Sequence, residues 1–105
     1  MEKNLFTLVN QFIEENKYAE AIEQLNKLQK QYPKNGEIFV KRADLFYKLQ
    51  KYSDALNDYT QSLKYDIKQS DKVKAKIEMI TNIIKYQGSD IYAATNLHND
   101  PWLDE

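Results

Sequence analysis

Apolar residues recur along this chain in five stripes, each at helical spacing. Leu5, Leu8, Val9 and Phe12 form the first stripe, and Tyr18, Ala21, Ile22, Leu25 and Leu28 the second. Phe39, Ala43, Phe46 and Leu49 follow, then Tyr52, Ala55, Leu56, Tyr59 and Leu63, and finally Val73, Ile77, Ile80, Ile83 and Ile84. Steps of three and four residues put each set on one face of an α-helix, so the pattern predicts an all-α chain. Polar breaks fall between the stripes. Asn16-Lys17 and Gln50-Lys51 separate neighbouring helices, and Pro33 with Asn35-Gly36 ends the second one. Ser53 and Asp71 are suited to start helices, because their side chains accept hydrogen bonds from open backbone N–H groups.

The stripes also repeat at longer range. Tyr18, Tyr52 and Tyr86 lie 34 residues apart, and the same shift relates Leu5 to Phe39 to Val73, Val9 to Ala43 to Ile77, and Phe12 to Phe46 to Ile80. It also relates Ala21 to Ala55 and Leu25 to Tyr59. A fixed period of this length marks an array of repeated units, each unable to bury its apolar face alone.

The segments NKYAEAIEQLNKLQKQYPKN and QKYSDALNDYTQSLKYDIKQ resemble the second helix of the tetratricopeptide repeat (TPR) family. Each carries the aromatic (Tyr18, Tyr52) and the small alanine at the helix crossing (Ala21, Ala55). The closing proline is kept as Pro33 and replaced by Ile67. Val9, Ala43 and Ile77 stand where the family usually has Gly or Ala, and Leu28 and Ser62 where it usually has Ala. The resemblance covers about residues 2–86. It implies a right-handed α-α superhelix of antiparallel helix pairs: one TPR domain over 1–105, with repeats at about 2–35 and 36–69 and a further helix at about 71–86. Residues 87–105 would form a degenerate second helix or a docked C-terminal tail.

On that resemblance the first helix of each pair lines a concave, peptide-binding groove. The implied groove residues are Phe6, Asn10, Ile13, Val40, Lys41, Asp44, Tyr47, Lys48, Lys74 and Glu78, with Lys3, Thr7, Glu14, Glu37, Thr81 and Asn82 beside them. The function implied is that of a non-catalytic scaffold or adaptor that holds a protein or peptide segment. One TPR subfamily clamps chaperone C-termini with basic residues in this groove. Asn10 matches one clamp position, but Phe6, Lys41, Asp71 and Ala75 depart from the others, which argues against that ligand. Lys41, Lys48 and Lys74 still suit an acidic peptide.

The ending differs from the rest. Pro101 lies two periods after Pro33, so YQGSDIYAATNLHNDP has the length of YAEAIEQLNKLQKQYP. Gly88 and Ser89 nevertheless replace helix-favouring residues, and Ile91, Tyr92, Thr95 and Asn96 are middling helix formers, so an irregular or extended segment is expected over a short helix. Ile91, Tyr92, Leu97, Trp102 and Leu103 are apolar anchors that call for cover. The fifth stripe is also too apolar for a bare end. The tail is therefore expected to dock on its own body or on a neighbour's TPR surface, giving a homo-oligomer in the second case. Asp100-Pro101-Trp102 resembles a tripeptide that clathrin adaptors recognise, although turn formation explains it more simply.

Charge sharpens this picture. All 15 basic residues and 12 of the 16 acids fall within 1–88, leaving Asp90, Asp100, Asp104 and Glu105 on a wholly acidic end. Such an end is attracted to a mildly basic body. A net charge of −1 argues against nucleic acid, and the lysines from Lys64 to Lys76 are interrupted by Asp66 and Asp71. Chemistry is scarce. The chain has no cysteine, one histidine (His98) and two glycines, so thiol nucleophiles, cysteine zinc sites and phosphate loops are absent. His98 with Asp100 is too small a set for a metal. No enzyme activity and no cofactor are expected. No apolar run reaches the roughly 20 residues of a membrane span, and no leader pattern stands at the start, so a cytoplasmic setting is expected.

Overall fold

The computed structural model describes the backbone of residues 5–95 and the side chains of residues 5–87. Among these residues the chain is all-helical: α1 (Thr7–Glu14), α2 (Tyr18–Gln31), α3 (Gly36–Lys48), α4 (Tyr52–Ser62) and α5 (Ser70–Thr95). Consecutive helices pack on one another, with α3 and α4 making the most extensive interface. Two apolar clusters result. Val9, Ala21, Leu25, Leu28, Ile38 and Leu45 form the first, while Val40, Ala43, Ala55, Tyr59, Ile67, Val73, Ile80 and Ile84 form the second. Helix α3 stands between them, with Ile38 and Leu45 on one flank and Val40 and Ala43 on the other.

The hairpins α1–α2 and α3–α4 close by the same device, one period apart. Asn16 and Gln50 adopt left-handed backbone, at φ 60° and 61°. The N–H of the next residue then reaches back: Lys17 donates to the Phe12 carbonyl and Lys51 to the Phe46 carbonyl, both at 2.8 Å. Asn16 and Gln50 donate to Ile13 and Tyr47, at 3.0 and 2.9 Å. This bonding satisfies carbonyls that a helix end would otherwise leave open. Because it reverses the chain within three residues, it also fixes which faces of the paired helices meet. The sequence breaks at these two sites are thus borne out in position.

The connection between the two pairs works differently. Helix α2 stops before Tyr32-Pro33, since proline has no N–H and restrains the residue before it. Asn35 caps the next helix rather than closing the previous one: its side chain accepts from the Glu37 N–H at 3.0 Å. Gly36 is required by close approach. A Cβ there would lie 2.5 Å from Ile67 Cγ2 and 3.0 Å from both the Ser62 carbonyl and Tyr65 Cβ. The α4–α5 connection therefore lies directly against the start of α3, where Phe39 and Tyr65 stack at 6.0 Å and Glu37 accepts from the Lys68 N–H at 3.2 Å.

At the centre sits Arg42, the one arginine in the chain. Its Nε and Nη2 donate to the two oxygens of Asp58 at 2.7 and 2.9 Å, and its Nη1 donates to Asn26 at 2.8 Å. The guanidinium also lies 5.5 Å from the centre of the Phe39 ring. One side chain on α3 thereby joins α2 of the first pair to α4 of the second. The Asp58 side chain is only 3% exposed, so this pair is largely withdrawn from water.

Helix α5 departs from expectation. It does not end near 86 but runs unbroken to Thr95, through Gly88 and through the segment expected to be irregular. A glycine inside a helix costs about 1 kcal/mol relative to alanine, which the hydrogen bonds of a helix already nucleated can carry. The isoleucine-rich stripe is also less bare than its composition suggests. Val73, Ile80 and Ile84 are buried in the second cluster, and Ile77 packs against it.

Two measurements test these packing arguments. Asp58→Ala leaves the Arg42 charge buried without its partner and is expected to destabilise the fold by about 3 kcal/mol, whereas Arg42→Met with Asp58→Leu recovers most of that loss. Urea unfolding of the three chains checks this, and equal loss in both variants contradicts it. Gln50→Gly relieves left-handed strain and is expected to raise the midpoint, while Gln50→Ile lowers stability by about 1–2 kcal/mol.

Candidate functional site

The first helices of the pairs, α1, α3 and α5, lie side by side and are joined by polar rungs. Between α1 and α3, Lys41 Nζ donates to Asn10 Oδ1 at 3.0 Å and sits 5.4 Å from the centre of the Phe6 ring. Between α3 and α5, Lys76 Nζ pairs with Asp44 Oδ1 at 3.2 Å and sits 5.6 Å from the Tyr59 ring centre. Asn10 and Asp44 are one period apart. In each rung, a lysine on the later helix thus reaches the same position of the earlier one.

The second rung borders a cleft of about 320 Å³. It is lined by Asp44, Tyr47 and Lys48 from α3, Tyr59 from α4, and Lys76, Met79 and Ile80 from α5. Its walls combine aromatic and aliphatic surface with two lysines at the rim. Tyr47 is held by a tilted ring contact with Tyr52 at 5.7 Å. Tyr59 forms the floor: it is 1% exposed, and its hydroxyl donates to Asp44 Oδ1. Burial pushes its phenol well above the usual tyrosine range, and the neighbouring carboxylate raises it further, because ionisation would leave two buried anions in contact. Tyr59 therefore acts as a fixed donor. Asp44 in turn holds Tyr59 and Lys76 with one oxygen, which keeps the cleft wall in register.

Several residues named from the sequence are brought together here and others are not. Asp44, Tyr47 and Lys48 line the cleft, and Phe6, Asn10 and Lys41 build the neighbouring rung. Ile13 is half-buried against the first cluster. Val40, expected on the groove, is instead buried at 6% exposure in the second cluster. Lys74 and Glu78 are exposed and do not line the cleft. The reason is geometric. Val40, Asp44 and Tyr47 occupy the flank of α3 that faces the following helix, whereas Lys74 and Glu78 occupy the same flank of α5, the last helix described. The flank of α5 that meets α3 carries Lys76 and Met79, which pattern reading missed. The register offered a signal, since Lys76 lies one period after Arg42, whose side chain also points back toward the preceding pair.

Of the tail anchors, Ile91 and Tyr92 lie where only the backbone is described. Leu97, Trp102, Leu103 and the His98/Asp100 pair lie outside the described residues, as does Lys3. Among the described residues there is no group of three or more His, Cys, Asp or Glu able to hold a metal, and no helix long and apolar enough to cross a membrane. Comparison with family models, curated proteins and solved structures finds no match to the chain.

The raised Tyr59 phenol has a consequence for alkaline stability. Above about pH 10 an unfolded tyrosine loses its proton while folded Tyr59 keeps it, so the unfolded state binds fewer protons and stability falls as pH rises, by up to about 1.4 kcal/mol per unit. Tyr59→Phe is expected to flatten this slope. Unfolding midpoints followed from pH 9 to 12 in both chains, on the order of one point per half unit, check it, and parallel curves contradict it.

Proposed function

We propose that the chain is a TPR-type interaction module that binds an extended segment of another protein along the face of α1, α3 and α5, without catalysis. The observation that carries this reading is the cleft between α3 and α5. It offers Tyr47, Met79 and Ile80 as apolar surface, with Lys48 and Lys76 at its edge. Small clefts of this make-up take one apolar side chain, while flanking charges set orientation.

The recurrence of the hairpin closure after 34 residues supports the TPR assignment, as does the small Ala21 and Ala55 pair, both fully buried. The rungs support the groove reading. They tie three helices into one rigid surface, which lowers the ordering cost of binding. The ligand chemistry that fits best is an apolar or aromatic side chain beside a carboxylate. Lys76 is already partly neutralised by Asp44, which leaves Lys48 as the main cation for such a group.

Display selection tests this directly. Peptides selected from a random library on the immobilised chain are expected to share an apolar residue next to an acidic one. Met79→Glu, which changes a side chain 41% exposed at the cleft, is expected to weaken them about tenfold or more. Lys27→Glu, on the exposed side of α2, is expected to leave them unchanged. Peptides that bind both variants equally, or a selection that yields none, contradict the proposal.

A further inference from the structure

The hairpin closure that recurs at Asn16 and Gln50 falls next at Ile84, one further period along. Among the described residues, Asn16 and Gln50 are the non-glycine positions with positive φ, and Ile84 is not among them. A β-branched residue resists left-handed backbone far more than Asn or Gln. The helix accordingly continues through Ile84 to Thr95. The segment that the period assigns to a sixth helix therefore extends α5 in line and does not fold back.

Two surfaces are left in an unusual state. Tyr18 and Tyr52 pack against the two clusters, but Tyr86, one period later, is 74% exposed. Beside α4, Ser53, Leu56, Asn57 and Thr60 form a cleft of about 390 Å³ with Ile84. This is the face a sixth helix would cover. The chain cannot cover it with its own continuation. The period matches Ala94 to Thr60, yet a continuous helix carries Ala94 about 15 Å beyond Ile84, away from α4.

We propose that a second copy of this chain supplies the missing helix, by reciprocal exchange of residues 85–95. The straight helix of one copy lies on the α4 face of the other, and a two-fold axis makes the exchange mutual. Exchange of an identical element through a straightened hinge forms a closed dimer from contacts the fold already encodes. The occupant is a copy of this chain because the segment that fits the face by period is its own and is held out of reach in cis. Each face is incomplete without the partner's helix.

The chain has no cysteine, so single thiols can be placed at will. A chain carrying Thr60→Cys is mixed with one carrying Ala94→Cys, refolded together and treated with a short bis-maleimide. The mixed 60–94 product is expected to exceed the 60–60 and 94–94 products at least tenfold. Light scattering of the unsubstituted chain is expected to give twice the 12.5 kDa chain mass. Asn57→Arg with Thr60→Arg, at two exposed positions of the α4 face, is expected to halve that mass with helical circular dichroism kept. Ile84→Gly, which restores a residue fit for the turn, is expected to do the same, and if it fails to fold the other measurements decide. A chain that stays at 12.5 kDa at its highest soluble concentration overturns the exchange. So does a dimer that gives no excess of the mixed product, or one that survives both arginines.

Discussion

Each helix pair is closed by a single residue held in left-handed backbone, and the arrangement of the remaining chain follows from that constraint. At Asn16 and Gln50 the chain reverses, the following N–H reaches back six residues, and the second helix is delivered onto the first at a fixed phase. Small residues then matter at the crossings: Ala21 and Ala55 are fully buried because the closure brings the paired backbones close. Left-handed backbone costs about 1–2 kcal/mol for a residue with a side chain, less for Asn. That cost is offset by satisfied carbonyls and by the apolar burial that pairing permits. Where the next residue in register is isoleucine, the reversal is not made and the helix runs on.

Pairing alone does not join one pair to the next. That role falls to Arg42 and to the region around Gly36. The guanidinium fork matches the carboxylate of Asp58 and still has a donor for Asn26, so three helices are fixed by one planar group. Gly36 lets the α4–α5 connection lie against the start of α3, and Ile67 fills the space a side chain would take. The cleft between α3 and α5 inherits its geometry from these constraints. Tyr59 and Asp44 are held by the packing of the second pair, and Lys76 completes the wall from the next helix.

Much of the helical order was legible in the sequence because burial of one helix face leaves a periodic trace. The stripes, the 34-residue period and the breaks at Asn16-Lys17 and Gln50-Lys51 all reflect it. The cleft was legible in part. Asp44, Tyr47 and Lys48 stood out, but Lys76 and Met79 did not, since a charged residue and a methionine beside a stripe look like solvent-facing positions. Val40 was misplaced because an apolar residue off the main stripe reads as groove until the next helix is seen to cover it. Arg42 escaped notice for a related reason: stripes are drawn from apolar residues, and a buried ion pair leaves none. The run-on of α5 was hidden by attention to Gly88. The decisive residue was Ile84, whose stripe membership concealed its place in the turn.

Backbone chemical shifts and the N–H to Hα couplings read φ at each residue and address this constraint most directly. Left-handed values are expected at Asn16 and Gln50, with uninterrupted helical values from Ser70 through Ile84 to Thr95. A left-handed signature at Ile84, or a break in the helical shifts between Ile84 and Tyr86, would show that the third reversal is made after all and that α5 does not end the array.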